Sequence, residues 1–261
     1  MYKKIIATFL LIMFFCVGCG KQDEESVETT LSQIMKRGQV VIGVKTDAYP
    51  FGYLDKNGNY AGYDVELGKL IGKKLFGAGG RVKFVPVTSS NRIMKLYSED
   101  IDMVIATMSI TKNRAQILDF SNPYYVAGQS LLVRANSPIK SLRDLKGRKA
   151  IIVFGSTSEQ SLRGAVQNLG IIGYKTYGEA YRALKQGKAD AVVSDDTILV
   201  GYALKDHSVK LLPKRFSKEP YAVAFRKGPE SEGLIHAVNV VISEETRNGN
   251  LKKALKSYGI K

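Results

Sequence analysis

Tryptophan is absent from this chain, and histidine and cysteine occur twice each. The two histidines, His207 and His236, stand apart in ordinary helix or loop surroundings. No Ser-His-Asp spacing, HExxH pair, Cys-His cluster or Walker loop accompanies them, so hydrolytic, zinc and nucleotide chemistry lack their residues. No catalytic residue, metal site or cofactor is therefore expected. Both cysteines, Cys16 and Cys19, lie close to the first residue, which excludes a disulfide framework for the rest of the chain. The charge is strongly positive, +15, yet it is scattered in singles and in pairs such as Lys73-Lys74 and Lys252-Lys253. Without a long basic tract, nucleic acid is a poor partner and an anionic ligand or envelope surface a better one.

The first residues read as an export signal. Lys3 and Lys4 precede the apolar run IIATFLLIMFFCVG, which is too short for a comfortable membrane span. Gly18-Cys19 resembles the lipobox of bacterial lipoprotein signals, with Cys16 where leucine is usual. That resemblance implies removal of residues 1–18, acylation of Cys19 and a lipid anchor in the cell membrane. Cleavage would lower the charge to +13, because Lys3 and Lys4 leave with no acid. Residues 19–30 are polar and acidic beyond the cysteine and read as a flexible tether.

Beyond the tether, strand and helix signals alternate. QVVIGV (39–44), RVKFVPV (81–87), MVIA (103–106), AIIVF (150–154) and DAVVSDD (190–196) read as strands. Helical patterns lie between them: 64–75 with Asp64 as its N-cap, 93–97, 115–118 after the cap at Thr111, 161–169, YGEAYRALKQG and TILVGYALK. YPFGYLDKNGNYAGY reads as a loop and hairpin. The class is α/β with mostly parallel sheets. LYSEDIDMVIAT and LKQGKADAVVSD echo one another, with Asp102 and Asp190 each six residues after a leucine. Two lobes of similar plan would produce that echo.

Ligands of open α/β sheets sit beyond the C-terminal strand ends, beside helix N-termini. Those ends here hold Lys45, Ser89 and Arg92, Thr107, Ser109 and Arg114, Ser156 and Thr157, and Asp195. Asp196 reads as a helix N-cap. Arg114 stands three residues after Thr111, where the helix dipole favours an anion. An arginine there suggests that the anion comes from outside. Guanidinium groups grip carboxylates bidentately, and Asp195 could hold an ammonium. The chemistry suits a zwitterion with an extra negative charge.

GYDVELGKLIGKKL, SITKNRAQILDFSNPYY, SLRDLKG with GSTSEQ, and DDTILVGYA resemble, in order, segments of the family 3 extracellular solute-binding proteins for polar amino acids. The resemblance covers residues 36 to 261. It implies a two-lobe periplasmic-binding-protein type 2 fold with two hinge crossings, near 124–128 and 217–221. Lobe 1 would comprise 31–126 and 220–261, and lobe 2 127–219. It further implies a monomeric receptor for an ABC permease, with no enzymatic role. Arg114 and Ser109 would take the α-carboxylate; the Thr107 carbonyl and Asp195 would take the ammonium. Lys45, Ser89, Arg92, Ser156 and Thr157 are similar to the glutamate/aspartate-binding subgroup. An acidic amino acid is thus the expected ligand; glutamine, asparagine or cystine is the alternative. An exported cyclohexadienyl dehydratase-like enzyme is the more distant one.

Overall fold

The computed structural model describes residues 29–77 and 81–258. The signal segment, Cys19 and most of the expected tether lie outside them. The tether's expected last residue, Thr30, already belongs to a helix: α1 (Thr30–Arg37) starts there, capped by Thr29, whose hydroxyl accepts from Ser32 N at 3.2 Å.

β1 (Val40–Val44) follows, then a small antiparallel sheet of β2 (Asp47–Ala48), β3 (Gly52–Leu54) and β4 (Tyr60–Ala61). Next come α2 (Tyr63–Phe76), β5 (Val82–Pro86), α3 (Arg92–Tyr97), β6 (Met103–Val104), α4 (Lys112–Ala115) and β7 (Leu118–Phe120). β8 (Tyr125–Ala127) leads to β9 (Gln129–Arg134), a 3-10 turn at Leu142–Leu145, β10 (Lys149–Val153) and α5 (Ser158–Arg163). β11 (Gly170–Tyr174), α6 (Tyr177–Lys185), β12 (Ala191–Asp195), α7 (Asp196–Lys205) and β13 (Val209–Leu211) complete that stretch. β14 (Glu219–Tyr221), β15 (Ala224–Arg226), α8 (Glu232–Arg247) and α9 (Asn250–Ser257) end it.

Two sheets of one plan result, ordered β5-β1-β6-β15-β7 and β11-β10-β12-β9-β13. In each, three strands are parallel, and β15 or β9 then adds an antiparallel neighbour. Helices cover both faces of each, as parallel strands rich in valine and isoleucine require. The first sheet buries Ile42, Val44 and Met103 against α2 and α8, and Val104 and Ala106 against Leu96 of α3. The second buries Ile151 and Val192 on the α6–α7 side, and Ile152 and Val193 on the α5 side. The antiparallel pair β8–β14 runs between the two lobes, in the stretches expected to be hinge crossings. Around it Phe51, Tyr63, Tyr124, Tyr125 and Tyr221 pack edge-on or tilted, with ring centroids 5.2 to 6.3 Å apart. Among the described residues no helix is long and apolar enough to cross a membrane.

The echo between the two halves is a structural repeat. Asp102 N donates to Val41 O at 2.8 Å, and the Asp102 carboxylate accepts from Val41 N at 2.7 Å. Asp190 N likewise donates to Lys149 O at 2.9 Å, and its carboxylate accepts from Lys149 N at 3.0 Å. Each aspartate thus clips the start of the second strand of its sheet, β1 or β10, and each has an arginine beside it, Arg37 or Arg148.

Several local expectations are corrected. Gly62 caps α2, not Asp64, because the carboxylate of Asp64 turns inward. α4 stops at Ala115, and Leu118 opens β7 by pairing with Arg226. The helix expected over 161–169 spans Ser158–Arg163, and Ile171 and Ile172 join the sheet beside β10. Asp195 occupies the N-cap position of α7, and Asp196 is its first helical residue, paired with Arg215 at 2.7 Å.

The two strand clips differ in burial: Asp102 is 8% exposed, whereas the Asp190 side chain is 30% exposed. Asp102→Ala leaves the part-buried Val41 N–H and Arg37 without this acceptor, and should cost roughly 1–3 kcal/mol. Asp190→Ala should cost less, since water replaces the lost partner. Urea unfolding of both variants checks the ranking; equal losses would contradict it.

Candidate functional site

The strand-end cations converge between the lobes. Lys45, next after β1, is 1% exposed, and Arg92, at the start of α3, is 2% exposed. Arg92 Nη1 donates to Ala106 O at 2.6 Å and Thr107 O at 3.4 Å, and its Nη2 to Gly155 O at 3.3 Å. Arg114 Nη1 donates to Ser109 O at 2.8 Å, and its Nη2 to the same Gly155 O at 2.9 Å. Thr111 does cap α4, with its hydroxyl accepting from Arg114 N at 3.2 Å. Lys45 Nζ lies 4.7 Å from the Tyr177 ring centroid, a cation–π contact. Burial, then Arg92, lowers Lys45 to about 7. Burial, then Arg114, lowers Arg92 as well.

The acid faces them from the second lobe. Asp195, 5% exposed, accepts from the Tyr221 hydroxyl at 2.6 Å and from Gln129 Nε2. Burial, then Glu219, raises it to about 6. Gln129 Nε2 also donates to Thr157 Oγ1 at 3.1 Å, and Gln129 Oε1 accepts from the Ser158 hydroxyl at 2.8 Å. The Thr157 hydroxyl donates to Glu219 at 3.1 Å. The adjacent Asp196 turns away to Gly128 N and Arg215, so the two carboxylates do not share a proton.

Thr107 carries the backbone strain of the site, with φ +45°. Its N–H donates to Asp64 at 2.9 Å, and the Tyr124 hydroxyl donates to the other oxygen of Asp64 at 2.8 Å. Burial raises Asp64 to about 6. Three buried polar atoms have no hydrogen-bond partner among the described residues: Ser89 Oγ, Arg92 Nε and Thr107 Oγ1. Ser89 Oγ lies near the Tyr177 hydroxyl without the geometry of a hydrogen bond. Buried groups of this kind are rare and point to a missing partner.

Lys45, Ser89, Arg92, Thr107, Ser109, Arg114 and Asp195 are thus brought to one cleft. Thr157 joins them through Gln129, whereas the Ser156 hydroxyl accepts only from Ser158 N, at 3.4 Å. Sequence reasoning missed Asp64, Gln129, Tyr177, Glu219 and Tyr221. Only Tyr177 had a local signal, following the Thr176–Glu179 capping box. Among the described residues no group of three or more His, Cys, Asp or Glu could hold a metal. A hollow of about 460 Å³ lies elsewhere on the second lobe, between Leu131, Leu142 and Phe216, and contains none of the cleft groups.

A family model of the bacterial extracellular solute-binding proteins, family 3, matches residues 40–261. An ABC transporter glutamine-binding protein of Bacillus subtilis is 36% identical over 97% of this chain and 94% of its own. A glutamine-binding protein of Geobacillus stearothermophilus is 40% identical over 80% of each. Among solved structures, an ancestral arginine-binding protein bound to glutamine is 38% identical, with a TM-score of 0.79. That match covers 85% of this chain and 98% of the other. An ancestral arginine-binding protein bound to arginine, 37% identical over 85% of this chain and 98% of its own, scores 0.78, so backbone likeness does not choose between ligands.

The cleft groups set opposing pH dependences. The unfolded value of Lys45 is 10.5 and its folded value about 7, so the unfolded chain holds the extra proton between them. Its contribution to stability therefore rises with pH across that window. Asp195 and Asp64 rise from 3.8 to about 6, so the folded chain holds extra protons there and their contribution falls as pH rises. Least stability from these groups is expected between about 6 and 7. Lys45→Met should flatten the alkaline rise by at most about 1.4 kcal/mol per pH unit. Urea midpoints measured across that window check this; an unchanged alkaline slope would place Lys45 in water.

Proposed function

The chain belongs to the bacterial extracellular solute-binding proteins, family 3, and from that premise we propose that it captures a free amino acid, L-glutamine foremost, for an ABC importer. The observation that carries the reading is the set of unpartnered atoms, Ser89 Oγ, Arg92 Nε and Thr107 Oγ1, in a cleft that also holds Arg114 and Asp195. A small zwitterion supplies what they lack.

The preference for glutamine departs from the acidic ligand expected from the sequence, which assigned Lys45 and Arg92 to a side-chain carboxylate. Burial disfavours the charged form of both, with Arg92 adding to it at Lys45 and Arg114 at Arg92. The buried side-chain atoms left without any partner among the described residues are one N–H donor and two hydroxyls that both donate and accept. A carboxylate wants donors only, whereas an amide wants both. The glutamine-binding relatives support the same choice.

Arg114 and Ser109 are assigned to the α-carboxylate, and Asp195 with the Thr107 carbonyl to the ammonium. Lys45, Ser89, Arg92, Ser156 and Thr157 surround the ligand side chain. The lobes, 31–126 with 220–261 and 127–219, part and close about β8 and β14. A ligand touching both lobes binds the closed form better and so shifts the balance toward it. A lipid on Cys19 keeps this monomeric receptor near its permease, although one acyl chain alone anchors only marginally.

Titration calorimetry at neutral pH should give L-glutamine a micromolar or tighter constant, about −8 kcal/mol. L-glutamate should bind about tenfold more weakly, a loss of about 1.4 kcal/mol. Glutamate binding tighter than glutamine would restore the acidic reading, and arginine binding tightest would overturn both. Arg114→Ala should weaken every amino acid by roughly 2–5 kcal/mol, as the loss of a buried charge partner does.

A further inference from the structure

A second contact between the lobes lies outside the ligand cleft. The segment after Lys45 reaches into lobe 2 between α6 and α7. Ala48 is fully buried and belongs to the same apolar cluster as Leu132, Tyr177, Ile198 and Leu199 of that lobe. The Asp47 carboxylate accepts from Tyr177 N, in the first turn of α6, at 3.0 Å. A helix N-terminus favours an anion there. The Tyr202 hydroxyl donates to Asp47 O at 3.3 Å, and Lys205 Nζ lies 4.4 Å from the Tyr49 ring centroid. Gly201 sits at the tightest point: a Cβ built on it would lie 2.5 Å from Tyr49 O. None of these residues is assigned to the ligand itself, although the Tyr177 ring also carries Lys45.

Gly201 is in the interior of α7, where glycine is a poor helix former and alanine a good one. Its helix gains nothing from glycine; the approach of Tyr49 does. We infer that residues 47–49 and the bare backbone of Gly201 form a clasp that holds the lobes shut over the ligand and so sets how long it stays bound. The clasp rests on the reading that the lobes part to admit an amino acid. Gly201 is a positioning residue, acting through Tyr49 and never on the ligand.

The test sets helix propensity against closure. Gly178, in α6, is the control, because a Cβ there would meet only Arg182 Nη1, at 3.5 Å. Gly178→Ala and Gly201→Ala should both keep or raise the unfolding temperature of the ligand-free protein. Only Gly201→Ala should weaken L-glutamine, by about tenfold and through faster release with little change in association rate. Stopped-flow release and calorimetry on the full chain read both effects. Gly201→Ala releasing glutamine at the wild-type rate would overturn the clasp while leaving the proposed ligand standing. Wild-type protein that ignores glutamine but binds another amino acid would overturn the ligand, and the same variants then read the clasp with that amino acid. Failure to bind any amino acid would overturn both.

Discussion

Arg92 and Arg114 reach from the first lobe to one carbonyl oxygen, that of Gly155 in the second. Two like charges converge there because a backbone acceptor stands between them. The acceptor can stand there because it belongs to glycine. At φ +77° the residue occupies backbone space that side chains rarely share, and a Cβ would lie 2.4 Å from Ser89 O. The lobes therefore meet backbone to backbone, with the long cationic side chains folded around the contact.

Burying these charges would be unfavourable if each stood alone. Asp195 answers the cations, but it is itself held by groups on the crossing strands. Tyr221 belongs to β14, and Gln129 opens β9 immediately after β8. The carboxylate assigned to the ammonium is thus held by residues on, or next to, the strands that cross between the lobes. The proposed site and the crossing strands thus share these hydrogen bonds.

Much of the architecture was legible because it is written in local period. The strand runs, the Thr111 cap and the placing of Arg114 follow from short windows, and so does the repeat of Asp102 and Asp190. Asp64 was misread for the same reason. An acid near a helix start looks like a cap, while its real partners, Thr107 and Tyr124, lie far along the chain. The apolar spacing of Leu162, Val166 and Leu169 imitated one long helix, but only Leu162 belongs to α5, and the chain beyond turns into β11. Gln129, Glu219 and Tyr221 gave no local sign, since their roles arise only when distant strands meet. Counting cations suggested an acidic ligand. What a count omits is that burial, and one cation beside another, work against the charged forms being counted.

The missing tryptophan and the ring cluster at the crossing strands together give the molecule an optical property. Tyrosine emission is normally drained into indole by energy transfer, and here there is no indole to receive it. The phenols most tied to the cleft, Tyr177 beneath Lys45 and Tyr221 against Asp195, sit beside groups whose charge and distance alter phenol brightness. Emission from these two phenols, out of 14 in the chain, is therefore part of the protein's own ultraviolet fluorescence.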